Sequence, residues 1–195
     1  MQEIFYTLAT PKEYFHQSRK FPFPKPQKCL QPDCLISIPP KKHGFYSRNA
    51  IEPDFLERID IRRYHCEYCG KTISYLPCFC LPYIQYTLKT VFFGLVCHFS
   101  LEFSLSVCLK LFRAVSQDIY WTYQHLQFYA KRFILNLKRI YIVLRQLLPG
   151  IILPEPTEKG AQRVLYLVLT GFADIQAFSA RFFEQGGRSF LAPCK

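Results

Sequence analysis

Two closely spaced pairs of cysteines are the residues of this sequence best suited to bind a metal ion. Cys29 and Cys34 have four residues between them, and Cys66 and Cys69 have two. A close pair can hold one side of a Zn²⁺ ion, so two pairs can supply four thiolates in a tetrahedron. Each pair is expected to lie in a turn at the end of a hairpin, and Gly70 after the second pair can adopt a positive φ, which lets backbone N–H groups point at sulfur. The pattern predicts one structural zinc ion bound by these four cysteines.

Three nearby side chains compete with this ligand set. His65 directly precedes the second pair, and Cys78 and Cys80 follow it. A redox dithiol is another interpretation of a C-x2-C pair, although such a pair usually opens a helix in an α/β fold. Four protein ligands leave no open position on zinc, so the predicted role of the metal is structural rather than catalytic.

The composition predicts a folded protein with an anionic partner. The chain has 195 residues, of which 50% are hydrophobic, and this is enough to build a core in one domain or two small ones. The 25 basic and 14 acidic side chains give a formal net charge of +11. Such a charge favours nucleic acid or an acidic membrane surface as the partner, and nucleic acid is the commoner case for a small basic domain.

The first residues and the odd number of cysteines predict a reducing cytoplasm. The segment MQEIFYTLATPKEYFHQ lacks the apolar run and cleavage site of a signal peptide, and nine cysteines argue against a disulfide framework. Residues 91–112 are long enough to cross a bilayer, but they include His98, Glu102 and Lys110. Because each of these is costly in a membrane, we expect a core helix there.

The hydrophobic pattern changes from strand-like to helical along the chain. Residues 20–40 contain six prolines, which excludes regular helix, and the runs GFYSR, RIDIRRYHC and KTISYL alternate as short strands do. Residues 95–148 contain no glycine or proline and predict at least two helices, divided by a cap at Ser116 or Asp118. A further helix is expected at about residues 161–183, followed by a loose tail.

The second of these helices has an apolar seam in which spacings of four and three alternate. Its members are Ile119, Tyr123, Leu126, Ala130, Phe133, Leu137, Ile140, Leu144 and Leu147. A heptad seam of this kind packs either against other helices of the same chain or against a second copy, so a homodimer through this helix is one expectation.

One part of the chain resembles a known family. The run IRRYHCEYCGKTISYLPCFCLPYIQYTL at residues 61–88, with KHGFYSR at 42–48 and the Cys29/Cys34 pair, resembles the N-terminal zinc-ribbon segment of bacterial insertion-sequence transposases and of short transposase-like proteins. The resemblance covers residues 29–90, and in that family the ribbon precedes a helix-turn-helix that recognises DNA ends. Ile73 stands where the family usually has phenylalanine, and the Cys78/Cys80 pair is not expected of it.

The resulting fold prediction is α+β: a small N-terminal zinc-ribbon β-domain followed by an α-helical, helix-turn-helix-like region with a long helix. We divide the chain into an N-terminal extension (1–28), a zinc ribbon (29–90), a helical DNA-binding region (91–148), a linker (149–160), and a C-terminal helix and tail (161–195).

Two groups of side chains are predicted to contact nucleic acid. The first, near the second cysteine pair, comprises Lys41, Lys42, Arg48, Arg62 and Arg63. The second lies on the heptad helix and comprises Gln124, Lys131, Arg132, Lys138, Arg139 and Arg145. The cations suit phosphate contacts and Gln124 could reach base edges. A basic stripe opposite an apolar seam is also what any solvated helix of a basic protein shows.

No catalytic residues are predicted. A transposase nuclease needs three carboxylates around two metal ions, whereas the six carboxylates of residues 91–195 occur in helical sequence without alternating strands. We therefore expect a zinc-dependent DNA-binding protein related to transposase recognition domains, without the nuclease part and without a small-molecule substrate. The alternative is a peripheral membrane or protein-interaction module that uses the basic, aromatic helices.

Overall fold

A four-stranded sheet and six α-helices form a mixed α/β fold in the computed structural model, which describes residues 1–34, 36–115 and 121–193. The strands are β1 (Gln2–Phe5), β2 (Lys41–Glu52), β3 (Phe55–His65) and β4 (Thr72–Pro77). The helices are α1 (Pro11–Gln17), α2 (Leu88–Leu95), α3 (Leu105–Val115), α4 (Tyr123–Leu147), α5 (Glu158–Gly171) and α6 (Ile175–Gly186).

The sheet has the strand order β1-β4-β3-β2, with β2, β3 and β4 antiparallel and β1 parallel to β4. The amino group of Met1 donates to the Thr72 carbonyl at 3.1 Å, and the Ser74 amide donates to the Met1 carbonyl at 3.0 Å. The sheet is therefore not confined to residues 29–90, because β1 lies within the predicted N-terminal extension.

One face of the sheet builds its own small core. Ile59 and Ile61 on β3 are almost fully buried and pack with Tyr14 of α1 and with Leu76 and Phe79. The two isoleucines are two residues apart and so point to the same face. The Tyr14 hydroxyl also donates to the Asp60 carbonyl at 2.8 Å, which fixes α1 against the sheet.

Helix α4 contributes its apolar seam to the larger, helical core. Six seam residues are buried: Leu126, Ala130, Phe133, Leu137, Ile140 and Leu144. Tyr123 is exposed, Leu147 is half-buried, and Ile119 lies outside the described residues. Helices α2, α3, α5 and α6 all contact α4. The buried part of the seam is thus occupied by helices of the same chain.

The helix boundaries differ from the expected ones at two places. Thr122 caps α4 by accepting a hydrogen bond from the His125 amide at 3.4 Å, while the expected caps, Ser116 and Asp118, lie outside the described residues. The single helix expected at 161–183 is two helices, because Asp174 begins α6 by accepting from the Ala177 amide at 2.6 Å. Among the described residues, none of the helices has the length and apolar character required to cross a membrane.

The tail before residue 194 is packed, so the expectation of a loose tail is wrong for these residues. Phe190 and Leu191 are buried at 0% and 1% exposure. Arg132 donates to the Leu191 carbonyl at 3.3 Å, and Asn136 donates to the Ala192 carbonyl at 3.0 Å. These contacts span more than 50 residues of sequence, and local composition does not reveal them.

Candidate metal centre

Four cysteine sulfur atoms, those of Cys29, Cys34, Cys66 and Cys69, lie within 4.8 Å of one another. The Cys29 and Cys69 sulfurs are 3.7 Å apart, and the Cys34 and Cys66 sulfurs are 3.9 Å apart. Tetrahedral ligands on metal–sulfur bonds of about 2.3 Å are separated by roughly 3.8 Å, whereas a disulfide bond is only about 2.05 Å long. The cluster could therefore hold one metal ion, and its geometry is not that of two disulfides.

The second cysteine pair lies in the turn between β3 and β4. The Cys66 amide donates to the Lys71 carbonyl at 3.0 Å, and the Gly70 amide donates to the Cys66 carbonyl at 2.9 Å. Gly70 has a φ of +67°, the left-handed conformation that glycine adopts without strain. The prediction of a glycine-assisted turn at the end of a hairpin is confirmed for this pair.

The first cysteine pair lies in irregular structure, so the expected hairpin there is wrong. The Cys34 amide donates to the Gln31 carbonyl at 3.0 Å, and this turn has no strand beside it among the described residues. The surrounding prolines explain the difference, since they cannot donate to a ladder. Long-range bonds position the loop instead, including one from the Tyr64 hydroxyl to the Pro24 carbonyl at 2.8 Å.

The environment of the sulfurs shifts their acidity in opposite directions. The pKa of Cys66 is lowered to about 7, chiefly because the Cys69 amide donates to its sulfur, with a further contribution from the Tyr68 amide. The pKa of Cys29 is raised to about 12, mainly by burial, and the neighbouring sulfurs raise it further. Four clustered thiols resist full ionisation, and a divalent cation would remove that obstacle by neutralising their charge.

The competing ligands have other surroundings. The His65 ring is 5.2 Å from the His43 ring. Cys78 accepts a hydrogen bond from the Thr7 amide at 3.3 Å and donates to the Thr7 carbonyl at the same distance. Cys80 is buried in the core between α1 and the sheet. None of the three belongs to the four-cysteine cluster.

We predict that Cys78→Ser and His65→Ala each retain the metal content of the parent protein. A serine hydroxyl can accept from the Thr7 amide and donate to the Thr7 carbonyl, as the Cys78 thiol does, and His65 is only half-buried. Elemental analysis of the purified variants would check this. A loss of metal in either variant would show that the ligand set is not the four clustered cysteines.

Two arginines predicted to touch nucleic acid have partners within the chain. Arg48 donates to the Leu81 carbonyl at 3.0 Å and also to the Ile84 carbonyl. The Arg62 guanidinium lies 4.6 Å from the centre of the Phe45 ring. The Arg48 side chain therefore ties β2 to the segment after β4, and Arg62 packs on the sheet.

The other three members of the first group differ in exposure. Lys41 forms an ion pair with Glu67 at 2.7 Å, and both side chains are more than half exposed. Lys42 is exposed and Arg63 is half-buried. Lys42 is thus the member of this group that the fold leaves most open to a ligand.

The predicted residues of α4 fall into two sets. Arg132 and Arg139 point toward the tail, where Arg139 donates to the Arg188 carbonyl at 3.4 Å and also to the Ser189 carbonyl. The other four, which are Gln124, Lys131, Lys138 and Arg145, are exposed. Contact between these four and nucleic acid remains a prediction.

Sequence reasoning missed an exposed group around the cysteine cluster. Tyr68, between the two cysteines of the second pair, is 75% exposed. Lys28 directly precedes Cys29, and Lys71 follows Gly70; both lysines are exposed. Their polar character and their position beside the cysteines were the signal that could have revealed them.

Comparison of the chain with protein-family models, curated proteins and solved structures finds no match.

Proposed function

We propose that this protein is a zinc-stabilised DNA-binding protein whose metal end contacts the phosphate backbone. The metal end is defined here as residues 25–43 and 61–71, which surround the four cysteines. The observation that carries the proposal is the exposed, cation-rich surface around the cysteine cluster. The resemblance of residues 29–90 to transposase zinc ribbons points to the same partner.

The donor set supports zinc as the metal. Four thiolates in a tetrahedron suit Zn²⁺ or an iron centre, and zinc is the usual ion in structural sites with closed coordination. The role would be to hold the proline-rich loop against β3 and β4, in the manner of a zinc ribbon. The expected helix-turn-helix remains part of the proposal, with α3 and α4 as its candidate helices.

The charge of the metal end favours an anion even when a metal is bound. It contains seven cations, which are Lys25, Lys28, Lys41, Lys42, Arg62, Arg63 and Lys71. Two carboxylates, Asp33 and Glu67, oppose them. A Zn²⁺ ion with four thiolates carries a net charge of −2. Seven positive charges less four negative charges leave three, and this surplus attracts a polyanion.

The exposed side chains suit contacts to a phosphate backbone. Lysine ammonium groups and tyrosine hydroxyls both donate to phosphate oxygens, and such contacts fix the position of a protein on DNA without reading sequence. Tyr68 is 75% exposed in this turn, and the exposed Lys71 follows it, where it also pairs with Asp33 at 3.5 Å.

We predict that the double substitution Lys28→Gln and Lys42→Gln weakens DNA binding and its salt dependence. Removal of one cation that touches a phosphate should reduce the slope of log K against log salt by about 0.9, so the slope should fall by about 1.8. Fluorescence anisotropy with a labelled duplex at several salt concentrations measures this change.

The matched control is Lys12→Gln with Lys159→Gln, which removes the same charge from exposed positions on α1 and α5, outside the metal end and outside the candidate helix-turn-helix. An equal effect of both pairs would mean that only net charge matters. Failure of the parent protein to bind duplex DNA at low salt would refute the proposal. Incubation with supercoiled plasmid and Mg²⁺ tests the accompanying proposal that the protein does not cut DNA.

A further inference from the structure

The outer face of α4 carries two parallel rows of exposed side chains. The first, called here the apolar row, is Phe128, Leu135 and Ile142, which are 45%, 57% and 59% exposed. The second, called the cation row, is Lys131, Lys138 and Arg145, all exposed. Members of each row are seven residues apart, or about 10.5 Å along the helix. The two rows lie about 60° apart around the helix, because corresponding members differ by three residues.

The charge of this face is one-sided. Helix α4 contains five cations and no aspartate or glutamate in 25 residues. Arg132 and Arg139, on the far side of the apolar row, donate to carbonyls of the tail, while the cation row is open to solvent. A ligand of the apolar row would therefore lie beside three positive charges and would gain from carrying negative charge.

The seven-residue repeat favours a helix as that ligand. Two helices that pack along their length meet through rows that repeat every seven residues, with charged residues flanking the apolar contact. A bilayer surface favours a broad apolar face, and this row is one residue wide. Phosphate contacts with DNA would use the cation row but would leave the apolar row without an apolar partner.

A second copy of the chain fits less well than an acidic partner. In an antiparallel pair centred on Leu135, Lys131 of one copy would lie near Lys138 of the other. Each copy also has a net charge of +11, so two copies that associate would repel each other electrostatically. We propose that the outer face of α4 docks an acidic amphipathic helix of another protein, through the apolar row and the cation row together.

The test uses a labelled helical peptide of about 21 residues, or three heptads, with leucine at every seventh position and glutamate three residues after each leucine. A second peptide has lysine in place of glutamate. Fluorescence anisotropy should show that the protein binds the glutamate peptide and not the lysine peptide. Leu135→Ala should weaken binding about tenfold or more, as expected for a central apolar contact. The matched control Leu169→Ala, at a 55% exposed position on α5, should not change it.

A charge reversal gives a result that unfolding cannot mimic. The double variant Lys131→Glu with Lys138→Glu should lose the glutamate peptide and gain binding to the lysine peptide. The Lys28→Gln, Lys42→Gln variant should bind the glutamate peptide normally, since its changes lie at the metal end. Failure of DNA binding and failure of this docking surface are therefore separate outcomes.

Four results would overturn the proposal. The first is no binding of the glutamate peptide at about 100 µM, where even a weak complex is detectable. The second is equal binding of both peptides. The third is self-association that Leu135→Ala abolishes, which would assign the face to a second copy. The fourth is that the protein binds anionic vesicles or DNA through the apolar row and that the glutamate peptide does not compete with this binding. That result would assign the outer face of α4 to the vesicle or to DNA.

Discussion

Cys66→Ser is expected to release the metal and to unfold the proline-rich loop of the metal end, which carries Cys29 and Cys34, while the helical core stays folded. The parent protein should contain about one zinc ion per chain, and the variant should contain none. Cys66 is 3% exposed, and its sulfur lies 3.9 Å from that of Cys34. A serine hydroxyl is a poor replacement for a thiolate, because zinc sites of this type depend on soft sulfur ligands.

The size of the effect follows from how little else holds this loop in place. Residues 24–34 and 36–40 contain no helix or strand. Among the described residues, the cluster beneath the cysteines includes only three other buried side chains, Tyr64, Ile73 and Tyr75. Structural zinc sites contribute about 10–16 kcal/mol of apparent binding free energy in small peptides, far more than such a cluster can supply. Folding of the loop should therefore be coupled to metal binding.

The helical core should respond differently. It is separate from the cysteine cluster and contains most of the large buried side chains of α2 to α6. Metal-free protein should therefore lose hydrogen-exchange protection in the metal end, with the amides of α4 still protected. Chelation of the parent protein should reproduce the pattern of Cys66→Ser.

Elemental analysis, far-UV circular dichroism and hydrogen exchange measure these outcomes together. Cys78→Ser is the matched control, since it replaces a buried cysteine outside the cluster, and serine can keep the two hydrogen bonds to the Thr7 backbone. Parent protein that is fully folded without metal, or Cys66→Ser protein that keeps its zinc, would contradict the assignment of the site.

The sequence was informative where a feature depends on neighbouring residues. The C-x2-C pair with Gly70 forms the predicted turn, because the turn is closed by bonds within residues 66–71. Strand alternation also located β2, β3 and β4, since one face of each antiparallel strand must be buried. Strand β1 escaped notice because it has four residues and pairs with residues about 70 positions away.

Patterns on helices were informative about faces but not about partners. The heptad seam of α4 is buried as its period requires, yet the period alone left open whether the chain or a second copy covers it. Likewise the cations of α4 looked equivalent in sequence. In the structure, Arg132 and Arg139 donate to carbonyls of the tail, whereas Lys131 and Lys138 remain exposed. This difference arises from tertiary packing, which the sequence pattern does not show.

Phe190→Ala is expected to destabilise the protein by about 3–5 kcal/mol, although Phe190 lies in a segment that the sequence predicts to be loose. Its side chain is 0% exposed, and its ring centre lies 5.4 Å from that of Phe178 and 6.2 Å from that of Phe182. Removal of the ring would leave a cavity between α4 and α6, which the surrounding helices could fill only in part. For a chain of this length the midpoint of thermal unfolding should fall by roughly 6–20 °C.

The C-terminal tail is also held by hydrogen bonds from α4. A variant that removes these bonds separates their contribution to stability from that of the packing of Phe190. Asn136 is 4% exposed, and its amide donates to the Ala192 carbonyl at 3.0 Å and to the Arg132 carbonyl at 2.8 Å. Asn136→Ala should cost about 1–3 kcal/mol, because the tail carbonyl would lose its donor in a buried environment. The two substitutions act on one segment, so their effects together should be smaller than their sum once either has released the tail.

The control for Phe190→Ala is Phe128→Ala, the same change at a position that is 45% exposed on the outer face of α4. Circular dichroism melts of both variants would make the comparison, with urea unfolding to obtain free energies. A loss below about 1 kcal/mol for Phe190→Ala, or an equal loss in the control, would contradict the buried tail. A large loss for Phe190→Ala alone would establish that the C-terminal segment is an integral part of the helical core, held there by the packing of Phe190 against α6.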